Sequence, residues 1–159
     1  MNIMKKDILY LLTGWLLFSW PASSHSTESR PASQPSDSAQ TSGGISGTLG
    51  YPSDAIPPLW VVAFQSNDLK KFQKVETAKN QSTFVISNLA PGNYVIVAYP
   101  KTNDPLQGGY SKAVPCGLLA SCTDHSLIPV TVEAGKMAKG VKVTDWYAPE
   151  NTFPPKPNP

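Results

Sequence analysis

Three neighbouring residues, Asp124, His125 and Ser126, are of the types that carry out acid–base and nucleophilic chemistry. A Ser-His-Asp triad requires its members to converge from separate parts of a fold, whereas neighbouring side chains in a strand point to opposite faces. We therefore expect Asp124 to bond backbone N–H groups of its own loop and His125 to pack beside the nearby cysteines. The alternative is a hydrolase or metal-dependent enzyme that uses Asp124, His125 and Asp145.

The chain has two cysteines, Cys116 and Cys122, which lie close together in the sequence. In an exported protein such a pair is typical of a disulfide bond, and the chain-entropy model assigns so small a loop roughly 2–2.5 kcal/mol of stabilisation. A free nucleophilic cysteine is the less favoured alternative. Because paired cysteines and two histidines are too few for a zinc site, we predict no metal and no cofactor.

Aromatic residues near the same loop provide a candidate binding surface. Tyr110 precedes the cysteines, and Trp146 and Tyr147 follow the last predicted strand. Such side chains could form a stacking platform for a sugar or a Pro-rich peptide, or they could cover the end of the core. The candidate surface consists of Tyr110, Trp146 and Tyr147 together with Asp124 and His125.

The N-terminal part of the chain has the features of a signal peptide. Lys5 and Lys6 precede an apolar run over residues 8–20, which is shorter than the ~20 residues that a membrane-spanning helix needs. Pro21 and the small residues after it are typical of a cleavage site, so we assign residues 1–24 to a signal peptide. An uncleaved leader would instead make the protein a membrane-anchored sensor or adaptor.

Composition separates the rest of the chain into three parts. Residues 25–44 are rich in Ser, Pro and Gln and are expected to be a disordered linker, because they have too few apolar side chains to offset the entropy of ordering. Residues 45–148 are expected to form one domain, and residues 149–159 a flexible, Pro-rich extended tail. The net charge of +2 is too small to indicate a nucleic-acid partner.

The longest β pattern covers residues 83–99. Two runs of alternating apolar side chains flank Pro91 and Gly92, which favours two strands joined as a hairpin. Pro91 presets φ for a type II turn, and Gly92 can adopt the positive φ that such a turn requires next. Phe84, Ile86 and Leu89 on the first strand, and Tyr94, Ile96 and Ala98 on the second, are expected to point into the core.

Further short β runs with turn signals between them predict about seven strands. They cover residues 45–51, 59–65, 72–77, 128–132 and 141–145, besides the pair just described. The run at 59–65 is almost continuously apolar, which is typical of a central strand covered on both faces. We predict an all-β, antiparallel β-sandwich of prealbumin-like or Ig-like type, with a disulfide-containing loop inserted before residue 128.

This pattern resembles the carboxypeptidase regulatory-like domain, a transthyretin-like (prealbumin-like) β-sandwich, as found in secreted proteins of bacterial type. The resemblance spans roughly residues 45–143. It is carried by Gly47, the apolar run 59–64, Thr77, Phe84 and the Leu-Ala-Pro-Gly-Asn-Tyr segment at 89–94. Because members of this family are mostly non-catalytic accessory modules, the resemblance implies a module that is not an enzyme.

The sequence thus indicates a secreted or periplasmic module with a binding or structural role at the cell envelope or outside the cell. Its expected partner is an envelope protein or carbohydrate, with no nucleic acid and, after cleavage of the leader, no membrane contact. The enzyme and the membrane-anchored adaptor are the alternatives.

Overall fold

The computed structural model describes residues 41–102 and 104–158. The predicted signal peptide (1–24) and most of the predicted linker (25–44) lie outside the described residues. This part of the chain forms eight strands and one short helix: β1 Gly43–Leu49, β2 Leu59–Gln65, β3 Asp68–Glu76, β4 Thr83–Leu89, β5 Gly92–Pro100, β6 Gly108–Gly109, α1 Ala113–Cys116, β7 Val130–Val132 and β8 Met137–Val143. Within the described residues, no helix has the length and apolar character needed to cross a membrane.

The strands form two sheets with a shared core, which confirms the predicted all-β sandwich. The first sheet has the order β4-β1-β8 and the second the order β3-β2-β5-β6, with β7 also paired to β5. Among the strand pairs of the described residues, only β1 and β8 run parallel, a pair that the antiparallel prediction did not include. A parallel pair requires a long connection, and most of the domain lies between these two strands.

Strand β2 illustrates how the sandwich is covered on both sides. Val61 points into the inner core between the sheets, whereas the next residue, Val62, belongs to a second apolar cluster on the outer face. The prediction that residues 59–65 form a central strand covered on both faces is therefore confirmed, since β2 lies between β3 and β5. The core residues predicted within 83–99 are also buried: Phe84, Ile86, Leu89, Tyr94, Ile96 and Ala98.

The connection at Pro91 and Gly92 differs from the predicted hairpin. Because β4 belongs to the first sheet and β5 to the second, this connection carries the chain across the sandwich. Gly92 has the predicted positive φ, but its value of 156° is not the about +80° of a type II turn. The Tyr94 hydroxyl donates to the Ala90 carbonyl at 2.8 Å, which holds the crossing as a tyrosine corner does. The alternation of apolar side chains could not distinguish a hairpin within one sheet from a connection between two sheets, because in both arrangements the two strands direct their apolar side chains at the same core.

The Pro-rich segment (149–158) packs on the outer face of the second sheet, which corrects the expectation of a flexible tail at 149–159. Phe153 in this segment is 4% exposed. It completes the second apolar cluster, whose other buried members are Val62, Phe64, Val95, Val97 and Tyr99. The few apolar residues of a Pro-rich sequence do not reveal such packing, because the surface that they cover is assembled from other strands.

Strand β6 consists of two glycines, because an aromatic ring packs against each of its faces. A Cβ atom on Gly108 would lie 2.4 Å from the ring of Trp146, in the inner core. A Cβ atom on Gly109 would lie 2.5 Å from the ring of Phe153, on the outer face. Successive strand positions point to opposite faces, so the two glycines make room for one ring each.

Candidate functional site

The segment between β5 and β7 carries the predicted disulfide bond, which joins Cys116 and Cys122. Gly117 caps the C-terminus of helix α1 with a φ of 104°, and Leu118 follows with a φ of 57°. A residue with a side chain in this left-handed conformation costs about 1–2 kcal/mol, so the surrounding structure must hold it there. The disulfide closes this reversal and places Leu118 and Leu119 on the loop surface.

Asp145 is a fully buried carboxylate beside this loop. It accepts hydrogen bonds from Ser111 Oγ at 2.5 Å and from the backbone N–H of Tyr147 at 3.2 Å, and it lies 2.7 Å from His125 Nδ1. Because an ionised carboxylate only accepts hydrogen bonds, Nδ1 of His125 carries the hydrogen in this contact. An unpaired buried carboxylate would be strongly destabilising, so these three donors allow Asp145 to be buried.

The contact with Asp145 leaves Nε2 as the nitrogen of His125 that is available to a ligand. Catalytic and metal-binding imidazoles are oriented in the same manner. A serine nucleophile must hydrogen-bond to the imidazole, but the hydroxyl of Ser111 bonds to Asp145 instead. The arrangement therefore fixes the ring of His125 without activating Ser111. Among the described residues, no group of three or more His, Cys, Asp and Glu side chains is placed to hold a metal ion.

Asp124 lies apart from this hydrogen-bond network. Its exposed carboxylate accepts from the backbone N–H of Ser126 at 2.9 Å and pairs with Lys112 Nζ at 3.0 Å. Hydrogen bonds from the side chain and backbone of Ser126, and then from Lys112, lower the pKa of the Asp124 carboxyl. Asp124 thus caps its own loop, as expected from the sequence. Of the three residues in the enzyme alternative, the structure brings together His125 and Asp145.

A cleft of about 350 Å³ opens beside the disulfide. We call it the disulfide cleft; its main lining residues are Leu118, Leu119, Cys122, Thr123, His125 and Tyr147. Leu119 and Tyr147 are each 64% exposed, whereas the His125 side chain is 16% exposed and anchored from behind by Asp145. The cleft combines an apolar rim with one oriented imidazole, so it can hold an apolar group and one hydrogen-bonding group together.

The other aromatic residues of the candidate surface do not reach this cleft. Trp146 is 5% exposed; its Nε1 donates to the Gly50 carbonyl at 2.7 Å, and its ring meets that of Tyr51 edge-on at 4.8 Å. Tyr110 is partly buried against the inner core. Trp146 therefore covers the end of the core, and the prediction that it belongs to an open stacking platform is wrong. Tyr147, in contrast, is exposed at the cleft.

Sequence reasoning did not identify Ser111 and the two leucines of the disulfide cleft. Ser111 lies in an irregular segment, and its partner Asp145 is 34 residues away. The signal that could have found it was Asp145 itself, a carboxylate placed at the end of an apolar strand pattern, which must recruit donors if it is buried.

Comparison with protein-family models gives no match for this chain, and comparison with curated proteins gives no significant match.

Proposed function

We propose that this protein is a secreted or periplasmic, non-catalytic β-sandwich module that binds a protein or carbohydrate of the cell envelope through the disulfide cleft. The observation that carries the proposal is the pair of exposed side chains, Leu119 and Tyr147, at the rim of that cleft. Large apolar side chains that are grouped and exposed mark interaction sites.

The support beneath the cleft favours binding over catalysis. The disulfide holds one wall, and Asp145 holds His125 together with the backbone of Tyr147. A site held in this way loses little conformational entropy when a ligand binds. The position of Ser111 on the carboxylate rather than on the imidazole gives no reason to assign a hydrolase.

Location outside the cytoplasm is supported by two features. A disulfide bond between the two cysteines of the chain is typical of proteins that fold in an oxidising compartment. The sequence of residues 1–24 has the charge and apolar pattern of a secretory leader.

Membership of the carboxypeptidase regulatory-like family is part of the same proposal, and the residues that carry the resemblance have physical roles. A Cβ atom on Gly47 would lie 2.0 Å from the Val141 carbonyl oxygen, so the close β1–β8 pairing requires glycine. The hydroxyl of Thr77 bonds to both backbone polar groups of Leu59. Tyr94 holds the crossing between the sheets.

The proposal is tested by cosedimentation of the purified protein with an envelope preparation from the source organism. Replacing the cleft rim with Leu119→Ser and Tyr147→Ala should lower the bound fraction by about tenfold or more, because both apolar contacts are lost. The matched control is Val85→Ser, which removes an apolar side chain that is 54% exposed on the other sheet. Equal binding by all three proteins, or no binding by the wild type, would contradict the assignment.

A further inference from the structure

The Pro-rich segment of the chain packs on the outer face of the second sheet. Phe153 is buried over Val62, Phe64 and Val97. Glycine at position 109 leaves the space that its ring fills. The aromatic anchor therefore enters a depression built from several strands.

Polar contacts continue this packing along the segment. The Tyr99 hydroxyl donates to the Pro154 carbonyl at 2.6 Å. Lys156 Nζ donates to the Pro100 carbonyl at 2.6 Å and lies 4.7 Å from the ring centroid of Trp60. Over four residues the sheet thus contacts, in order, an aromatic side chain, a proline carbonyl and a lysine ammonium group that lies over an indole ring.

The chemistry of these contacts is that of polyproline recognition. Residues 154, 155 and 157 are prolines, which have no N–H group and so cannot join the sheet as an added strand through their own donors. Pro-rich peptides bind instead to aromatic-lined grooves in an already extended form, which keeps the entropy cost low. The docked segment meets Tyr99 and Trp60 in this manner.

The connection to the rest of the chain can accommodate release of the segment. Glu150, Asn151 and Thr152 are exposed, and Asn151 has a φ of 63°. A second cleft of about 380 Å³ lies under this connection and extends to Phe153. Residues 150–152 are therefore exposed, whereas Phe153 is buried and Pro154 and Lys156 hydrogen-bond to the sheet.

We propose that the outer face of the second sheet is a binding groove for Pro-rich peptides that carry an aromatic residue, two prolines and a lysine in that order. Residues 153–157 occupy this groove within the chain, and a partner segment of the same chemistry replaces them. Because the internal segment competes for the groove, the apparent association constant of a partner equals its intrinsic value multiplied by the fraction of molecules in which the groove is open.

The test uses a synthetic peptide of residues 150–158 and the full chain with Phe153→Ala. This variant loses its own anchor but keeps every groove residue, so it should bind the peptide at least about tenfold more tightly than the wild type does. Titration calorimetry measures the affinity, and the indole NMR signal of Trp60 reports the place of binding. Adding Tyr99→Phe to the variant should weaken peptide binding by about fivefold, because the bond to the proline carbonyl is lost.

Two controls make the result specific. A peptide with alanine in place of the three prolines should bind much more weakly, and Val85→Ser on the other sheet should leave the affinity unchanged. Absence of binding to the folded Phe153→Ala protein, or equal binding of the alanine peptide, would overturn the proposal. If Phe153→Ala does not fold, Lys156→Ala takes its place with the same direction of effect, since it also weakens the internal contact without changing the groove.

Discussion

Asp145 links parts of the chain that the sequence separates widely. Its side chain joins Ser111 from the segment after β6 with His125 from the loop before β7. Every hydrogen bond in this network replaces one that water would make, so the net gain from each is small. Loss of one acceptor inside the network is costly, because the remaining donors are buried with no partner.

The variant Asp145→Asn should therefore lower the free energy of unfolding by about 3 kcal/mol. The asparagine amide has only one acceptor oxygen. Its NH₂ group would therefore face one of the donors that now bond to the carboxylate, and two donors cannot bond to each other. Urea denaturation measures the change. The matched exposed variant Asp124→Asn should change the free energy of unfolding far less, because water screens its contacts. An equally small loss for Asp145→Asn would contradict the role assigned to the buried carboxylate.

At the scale of elements, local patterns predict where strands lie better than they predict which strands pair. The predicted bounds of β2 at 59–65 match the structure, because a continuous apolar run between turn residues has few alternative structures. The segments around Pro91 and Gly92 are also strands, but they pair with different neighbours. The disulfide bond joins two points of one loop, so it does not link different strands of the sandwich.

Breaking that bond should loosen the loop without unfolding the sandwich. With Cys116→Ser and Cys122→Ser together, the free energy of unfolding should fall by no more than roughly 2.5 kcal/mol, the entropy that so short a loop removes from the unfolded chain. Hydrogen exchange should rise over residues 117–123 and stay unchanged in β2 and β5. A uniform rise across the domain would show that the bond stabilises the whole core. Two titratable thiols in the oxidised protein would contradict the bond itself.

At the scale of the whole molecule, two apolar clusters share β2 and β5. The inner cluster lies between the sheets, and the outer cluster lies under the Pro-rich segment. Tyr99 stands at the outer cluster and bonds to Pro154, so it connects the last described residues to the sandwich. Burial raises the pKa of the Tyr99 hydroxyl above its ordinary value of 10.0.

This shift predicts how stability changes at alkaline pH. Because the folded-state pKa of Tyr99 is raised, its contribution is complete below about pH 10 and is lost as pH rises further. At about pH 8, Tyr99→Phe should be about 1 kcal/mol less stable than the wild type, through loss of the bond to Pro154. The difference should shrink by about pH 11, because phenylalanine does not ionise. Urea denaturation at both pH values tests this, and a constant difference would be contrary to the prediction.

The sequence by itself determined the fold class, most strand positions and the disulfide bond of this protein. Alternation in 83–99, the continuous apolar run at 59–65 and a single cysteine pair are local signals with a direct physical meaning. Only the tertiary structure decided that β4 and β5 lie in different sheets, that Ser111 and His125 meet on Asp145, and that Phe153 covers the outer cluster. These contacts join residues that are distant in the chain. Their free energy depends on surfaces that form only after the sheets have packed, so no local pattern encodes them.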